Sequence, residues 1–532
     1  MKIDLIIKNC YIYDGTGNKP FCGDIGIFGD KICFLRREDS KNFEAESKEI
    51  IDVKGMVVTP GFIDVHSHSD FTILADNRIE GKVCQGITTE INGNCGLSAA
   101  PLIGEVIEHR EKDLQEFEIK DRWRSFREYF HILEKQGLYI NYATLVGHGN
   151  IRGAVIGYKN KQPNKSELSK MKELLKNSID DGAIGLSTGL IYQPGIFSTT
   201  GEIIELTKTI NNLIYTSHIR SEGDRLLESI EEVIYIGTSA NIHVHISHIK
   251  SSWRRNWWKI DEVIKMIDLA RSSGLKITCD RYPYIASSTD LDVLLPVELY
   301  EIDLSKEVER LRDDDVKELI KDELIRKHGD YNFLNNVIIS SVSNDKNRWM
   351  EGRSISEIAS IENVEPFDEL IKILISEKLK VSAIFFSMDE DNMIKILKLP
   401  YSFVGTDSSG RSFSGTTCKG KPHPRGFGTF PRFLGRYVRD RSLIDLSEAI
   451  HKITFLPAKN FGLYERGIIR EGAYADIVVF DYEKIIDNSS FEQPFLKPSG
   501  IHHVIVNGKI VLYNGELTGK KPGRILRQGR SF

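Results

Sequence analysis

Apolar and polar positions alternate with a period of two near both ends of the chain. Leu5 to Tyr13, Asp24 to Arg36 and Glu49 to Val53 read as short β segments, with the turn pairs Asp14-Gly15 and Gly29-Asp30 between them. The same pattern returns at Ala475 to Phe480 and at Ile501 to Tyr513, the latter hinged at Asn507-Gly508. Pairing the two ends into one small β-sandwich, residues 1–57 with residues 461–532, would remove exposed strand edges.

Between them, residues 58–460 alternate strand-like apolar runs with helical stretches. Eight strand ends are expected, near Asp64, Asn92, Leu145, Ser187, Ser217, Ser247, Asp280 and Val404. Helix-like segments such as Lys165 to Ser178, Asp224 to Ile236 and Asp261 to Ser273 fall between them. Repeated alternation of this kind predicts an α/β fold with a parallel sheet, and eight units favour a (β/α)8 TIM-like barrel. The connection from Tyr284 to Ser402 is far longer than a crossover needs and carries a highly charged helical run, Glu307 to Lys327. Insertions on the active-site face of a barrel are long βα loops, so a lid or substrate-side subdomain is expected at about 285–345.

Composition narrows the function classes. A length of 532 residues calls for one large domain with a satellite, and 40% hydrophobic with 28% charged residues is ordinary for a globular chain. A net charge of −5 gives no sign of a nucleic-acid partner or a membrane surface. The opening run MKIDLIIKNC is strand-like and charged, unlike a signal peptide, and no apolar stretch approaches a bilayer span. Seven scattered cysteines point to reduced thiols and a cytoplasmic location.

The chemistry gathers at the strand ends. His66 and His68 stand two apart after an apolar run, so on a strand both imidazoles point the same way and can reach one metal. A single histidine is more often a packed core residue, but this pair has company. Cys95 follows the second strand, His218 ends the fifth, His248 the sixth, and Asp407 the eighth. Such ligands suit zinc, and their origin on different strands suits a barrel active site. His243 and His245, earlier on the sixth strand, are read as structural.

The stretches GFIDVHSHSD, GNCG, GLSTGLIYQPG, SHIRSEGDRLLE, ISHIK, YPYIASST, GTDSSG, HPRGFGTFPRFLGRYVR and GIIREGAYADIVVFD follow one another from residue 61 to 481. In this order they resemble the N-acyl-D-amino-acid deacylases (D-aminoacylases) of the amidohydrolase superfamily. The resemblance implies a tightly bound zinc held by Cys95, His218 and His248. It also implies a weaker neighbouring metal position at His66, His68 and Asp407, with Cys95 able to bridge. Many relatives bridge two metals with a carboxylated lysine; none ends the expected metal-bearing strands here, which weighs against hydantoinase- or dihydroorotase-type cyclic-amide hydrolysis. A catalytically inactive barrel used as a scaffold is the other alternative, and the full ligand set weighs against it.

From the resemblance comes an expected activity, zinc-dependent hydrolysis of a small-molecule N-acyl-D-amino acid. Asp407 is expected to shuttle the proton, and Tyr192 to hold the oxyanion. Lys250, two beyond His248, is expected to meet the substrate α-carboxylate with Tyr282 and Ser288. His148, Arg220 and Glu222 are candidates for supporting the ligands from behind, while His423 and Arg425 match the family without an assignable role. The preferred side chain, the acyl group and the oligomeric state are not legible in the chain.

Overall fold

The structure is a computed structural model that describes residues 3–37, 46–300 and 304–527. Residues 1, 2, 38–45, 301–303 and 528–532 of the spans expected above lie outside the described residues.

Both chain ends meet in one nine-stranded sheet. Ile3–Ile12 pairs with Phe21–Phe28, Ser47–Asp52 and Val57–Pro60, and Val57–Pro60 pairs antiparallel with Ile477–Phe480 from the far end. Ile501–Val506 and Lys509–Tyr513 follow as a hairpin. Its turn, Asn507-Gly508, has positive φ at both residues (45° and 72°), the geometry that matches the twist of the flanking strands. One apolar cluster draws Ile7, Ile25 and Ile51 from one half of this sheet and Ile477, Val479 and Ile505 from the other. The expected strand from Asp24 to Arg36 is two strands, because Gly29-Asp30 turns the chain.

The middle of the chain supplies eight parallel strands at the expected places: β1 (Phe62–Asp64), β2 (Ile87–Asn92), β3 (Asn141–Thr144, resuming at Val146–Gly147), β4 (Gly185–Gly189), β5 (Ile214–His218), β6 (His243–Ile246), β7 (Ile277–Arg281) and β8 (Ser402–Val404). They form two arcs rather than one continuous sheet. The first half of β3 pairs with β2 in a three-stranded arc, and its second half pairs with β4 in a six-stranded arc ending at β8. The strand changes partner at Leu145. At the other seam, β1 and β8 meet through an isolated Ser67–Ser408 bridge and the bonds Asp407 N–H to His66 O (2.8 Å) and His68 N–H to Ser408 O (3.2 Å).

Helices between the strands bury one face each. The helix Lys165–Asp181 opens with a capping box between Asn164 and Glu167 and buries Met171, Leu175 and Ser178 at helical spacing. Leu226–Ala240 buries Leu226, Ile230, Val233 and Ile236, and stops at Asn241 in the left-handed region.

After β7 comes a separate antiparallel sheet in which Val381–Phe385 lies between Ser287–Asp290 and Val337–Val342. Its own apolar cluster runs from Leu291 to Phe385. The charged run forms two helices, Leu304–Arg310 and Asp314–His328, the second capped by Asp313. Among the described residues no helix is long and apolar enough to cross a membrane.

Candidate metal centre

The six expected ligand residues converge at one rim of the two arcs. His66 and His68 follow β1, Cys95 follows β2, His218 ends β5, His248 lies just past β6, and Asp407 just past β8. Cys95, His248 and Asp407 each have positive φ (53°, 35° and 49°). Side chains bearing a Cβ seldom adopt that region, and such strain persists only where the surroundings enforce it, as at functional sites. Beside Cys95, Gly96 (φ 75°) brings its backbone so close to β4 that a Cβ would meet the Gly189 nitrogen at 2.5 Å. This close approach pins the Cys95 turn against β4.

The ligand atoms face one another. Cys95 Sγ lies 3.3 Å from His66 Nε2 and 3.3 Å from His248 Nε2. Asp407 Oδ1 is 3.5 Å from His66 Nε2 and 3.1 Å from His68 Nε2. One donor atom from each of His66, Cys95, His248 and Asp407 falls within 4.8 Å of all the others. The His218 ring stands edge-on to that of His248, 4.4 Å between centroids. Both His218 nitrogens are buried without a hydrogen-bond partner among the described residues. Leaving buried polar atoms unpaired is costly, and a Lewis acid that takes an imidazole lone pair removes that cost.

Electrostatics favour a cation in the same place. Burial alone would push the Cys95 thiol up, yet His66 and His248 outweigh it and hold it well below the ordinary thiol value. A thiolate is the form that binds metal. Burial also opposes charge on Asp407, but Arg425, with His248 and His66, holds its carboxyl well below the usual range. His68 is pushed up to about 9; burial works against this, and the Asp407 hydrogen bond and Cys95 prevail. The donor set, one thiolate, imidazoles and a carboxylate, fits zinc.

A layer of polar groups stands behind the ligands. Asp280, on β7, has Oδ1 at 3.2 Å from His66 Nδ1 and 2.9 Å from His245 Nε2, and accepts the His248 backbone N–H at 3.0 Å. Reading the sequence missed it, although an acid at a strand end was the available signal. His245 thereby joins the metal rim through Asp280, whereas His243 Nε2 hydrogen-bonds Thr278 Oγ1 at 2.9 Å. Glu222 Oε1 lies 3.1 Å from His248 Nδ1 and 3.7 Å from His218 Nε2. Lys250 is buried, its Nζ held by Glu222 and 2.8 Å from His248 Nδ1. The lysine expected at the substrate carboxylate thus has a carboxylate partner within the protein.

The Tyr192 hydroxyl is 3.2 Å from Thr289 Oγ1, and its ring packs edge-on against His218 at 5.0 Å. Burial pushes this phenol well above its ordinary value, so it stays a proton donor. Arg220 clamps the loop that carries it, donating to Ile196 O and Ser198 O at 3.2 Å each while bonding both Glu232 oxygens at 3.0 Å. His148 Nε2 and Arg152 share Glu202, in the helix that follows that loop. The Tyr282 hydroxyl is buried with no hydrogen-bond partner among the described residues, and its ring lies under the guanidinium groups of Arg281 (4.3 Å) and Arg425 (4.6 Å). His423 donates to Ala286 O (2.9 Å) and accepts the Arg425 backbone N–H (3.0 Å), so it braces Arg425. Arg425 NH2 also reaches Ser288 O at 3.4 Å. A cavity of about 890 Å³ opens from His68 and Leu97 towards Asp290, Ser341 and Arg411.

A sequence profile of the Amidohydrolase family matches residues 49–217 and 416–512. The chain is 33% identical to N-acyl-D-glutamate deacylase of Alcaligenes xylosoxydans xylosoxydans, over 100% of this chain and 98% of that protein. It is 32% identical to D-aminoacylase of the same organism, over 98% and 97%. The crystal structure of N-acyl-D-glutamate deacylase from Bordetella bronchiseptica, complexed with zinc and a phosphonate mimic of the tetrahedral intermediate, superposes with a TM-score of 0.82 at 31% identity, covering 99% of this chain and 100% of that one. On this full-length likeness the chain belongs to the amidohydrolase family, among the N-acyl-D-amino-acid deacylases related to D-aminoacylase.

Proposed function

We propose that this protein is a zinc-dependent hydrolase that cleaves the amide bond of N-acyl-D-amino acids, releasing a carboxylate and a free D-amino acid. The observation that carries the reading is the cluster of His66, Cys95, His248 and Asp407, with His218 grouped beside the same His248. In this reading Cys95, His218 and His248 hold the tight zinc, and His66, His68 and Asp407 the weaker position. Bound zinc supplies Lewis acidity towards the scissile carbonyl.

The chain's own residues supply the rest. Asp407, kept ionised by Arg425, takes the proton of the attacking water and returns it to the leaving nitrogen. Tyr192 keeps its proton and donates to the carbonyl oxygen as that oxygen gains charge. The substrate α-carboxylate meets Tyr282 and Ser288 with Lys250 and Arg425 as cations. The Tyr282 hydroxyl, which has no hydrogen-bond partner among the described residues, supports this assignment.

The two arcs are read as one (β/α)8 barrel closed at the β1–β8 seam, and the terminal sheet as a sandwich wrapped round its apolar cluster. The insertion, expected at about 285–345 and here read as reaching Phe385 with its antiparallel sheet, forms the outer wall of the cavity. Free cysteines throughout, the exposed Cys22 included, suit a reducing cytoplasmic setting. The test is hydrolysis of N-acetyl-D- and N-acetyl-L-amino acids by protein of measured zinc content. The D-isomers should be cleaved and the L-isomers hardly at all; equal rates, or a preference for cyclic imides, would overturn the assignment.

A further inference from the structure

Lys82 is fully buried, which is rare for lysine and costly unless its charge is matched. It sits on the short helix Glu80–Val83, which begins beyond Ile79 with a left-handed φ of 37°. Its ammonium donates to Asp64 Oδ2 (2.6 Å), Thr406 Oγ1 (2.7 Å), Ser408 O (2.8 Å) and Ser67 Oγ (3.0 Å). Four acceptors saturate a group that has three protons.

The identity of the acceptors matters more than their number. Ser67 lies between His66 and His68, and Thr406 and Ser408 flank Asp407. Asp64 precedes His66 by two residues, and its other oxygen accepts the Thr406 N–H at 2.8 Å. All four therefore adjoin the ligands of the weaker metal position. None belongs to the segments carrying Cys95, His218 or His248. Lys82 also ties β1 to β8 across the seam where the two arcs meet through an isolated bridge and a few backbone hydrogen bonds rather than a continuous ladder. Ser67 passes the network on to Glu90 of β2 at 2.8 Å.

We propose that Lys82 is a positioning residue for the His66, His68 and Asp407 group, setting the affinity of the weaker metal position and the aim of Asp407 without governing the tight one. This rests on the reading of two unequal metal positions given above. Partners of this kind, which orient ligands from behind, typically change metal affinity or activity by roughly 10- to 100-fold.

The test uses two variants, because Lys82→Met alone would strand a buried Asp64 carboxylate. Lys82→Met/Asp64→Asn removes the pair, and Thr406→Val keeps the pair but deletes one hydroxyl. Protein carrying its tight zinc is titrated with Co(II), followed by its visible absorption, and the tight zinc is measured by competition with a chelator. Unmodified protein should bind Co(II) in one further, weaker step; a missing step there would refute the reading of two positions, not the role of Lys82. Given that step, the double variant should weaken it roughly 10- to 100-fold and Thr406→Val less, with tight-zinc affinity within about threefold of normal in both. kcat should fall with KM little changed. Equal weakening of both positions, or no change in the weaker one, would overturn the proposal. Should the double variant fail to fold, Thr406→Val decides by the same comparison.

Discussion

The Arg425 guanidinium stands 2.9 Å from Oδ2 of Asp407, while Oδ1 of the same carboxylate faces His68 at 3.1 Å. One oxygen is thus tied to a fixed cation and the other to the metal rim. Arg425 is itself braced by His423, so the carboxylate is held in both charge and direction.

A carboxylate so held is suited to moving a proton. Asp407→Asn should lower kcat by roughly 10²- to 10⁴-fold, the usual loss for a positioned acid–base group. Tight zinc should stay close to the unmodified content by elemental analysis. Normal turnover in this variant would mean that another group carries the proton.

Loss of a tight-site ligand should behave differently. Cys95→Ala and His218→Ala should each lose most of the bound zinc together with activity, because a catalytic zinc site is typically held by three protein ligands and each change removes one. Full zinc and full turnover in Cys95→Ala would remove this thiol from the site.

Tyr192 offers a donor at the carbonyl, and its loop is clamped by Arg220. Tyr192→Phe keeps the ring against His218 but deletes the proton, and should cost roughly 10²- to 10³-fold in kcat, as for removal of one oxyanion donor. KM should change little, since that bond strengthens only as charge develops. A variant that raised KM alone would assign Tyr192 to substrate binding.

His243 supplies a pH test away from the chemistry. Burial first, then the nearby cations Lys276 and Arg271 and the His245 ring, pull its imidazole down to about 2. The unfolded chain would protonate it near 6.5, so unfolding takes up a proton between about pH 2 and 6.5. The stability contribution is therefore complete above about pH 6.5 and is lost as the pH falls. His243→Gln can keep the contact to Thr278 and should flatten the decline of unfolding free energy between pH 6.5 and 4 by up to about 1.4 kcal/mol per pH unit. Zinc content at pH 7 should be unchanged. An undiminished slope in urea denaturation would contradict the buried neutral state.

Much of the candidate site was legible because the candidate ligands stand at strand ends, and strand ends follow from apolar runs. His66, Cys95, His218, His248 and Asp407 could be found in that way. Asp280 stands at a strand end too but was passed over, and Lys82 had no such signal; the meaning of both depends on which side chains the fold brings opposite them. Lys250 shows the same limit from the other side. Its spacing from His248 put it on the right face, but nothing local indicated that Glu222, 28 residues earlier, would meet it. The break in β3 at Leu145 likewise arises from pairing on both sides of one strand, which no single segment encodes.

Lys250 lends itself to a decisive double comparison. If its ammonium leaves Glu222 to meet the substrate α-carboxylate, Lys250→Met should lower kcat/KM for N-acetyl-D-amino acids. A charge-assisted hydrogen bond is worth about 1.5–3 kcal/mol, which corresponds to a loss of roughly 10- to 150-fold. Capping the substrate carboxylate as an amide should cost the unmodified enzyme a similar factor. Applied together, the two changes should cost little more than either alone, because both delete one contact. If Lys250 instead serves only to hold Glu222 against His248, the two losses act on different contacts and should multiply. In that case Glu222→Gln should reproduce the Lys250→Met loss with either substrate. The ratio of the four kcat/KM values therefore decides whether Lys250 touches the substrate or acts through His248.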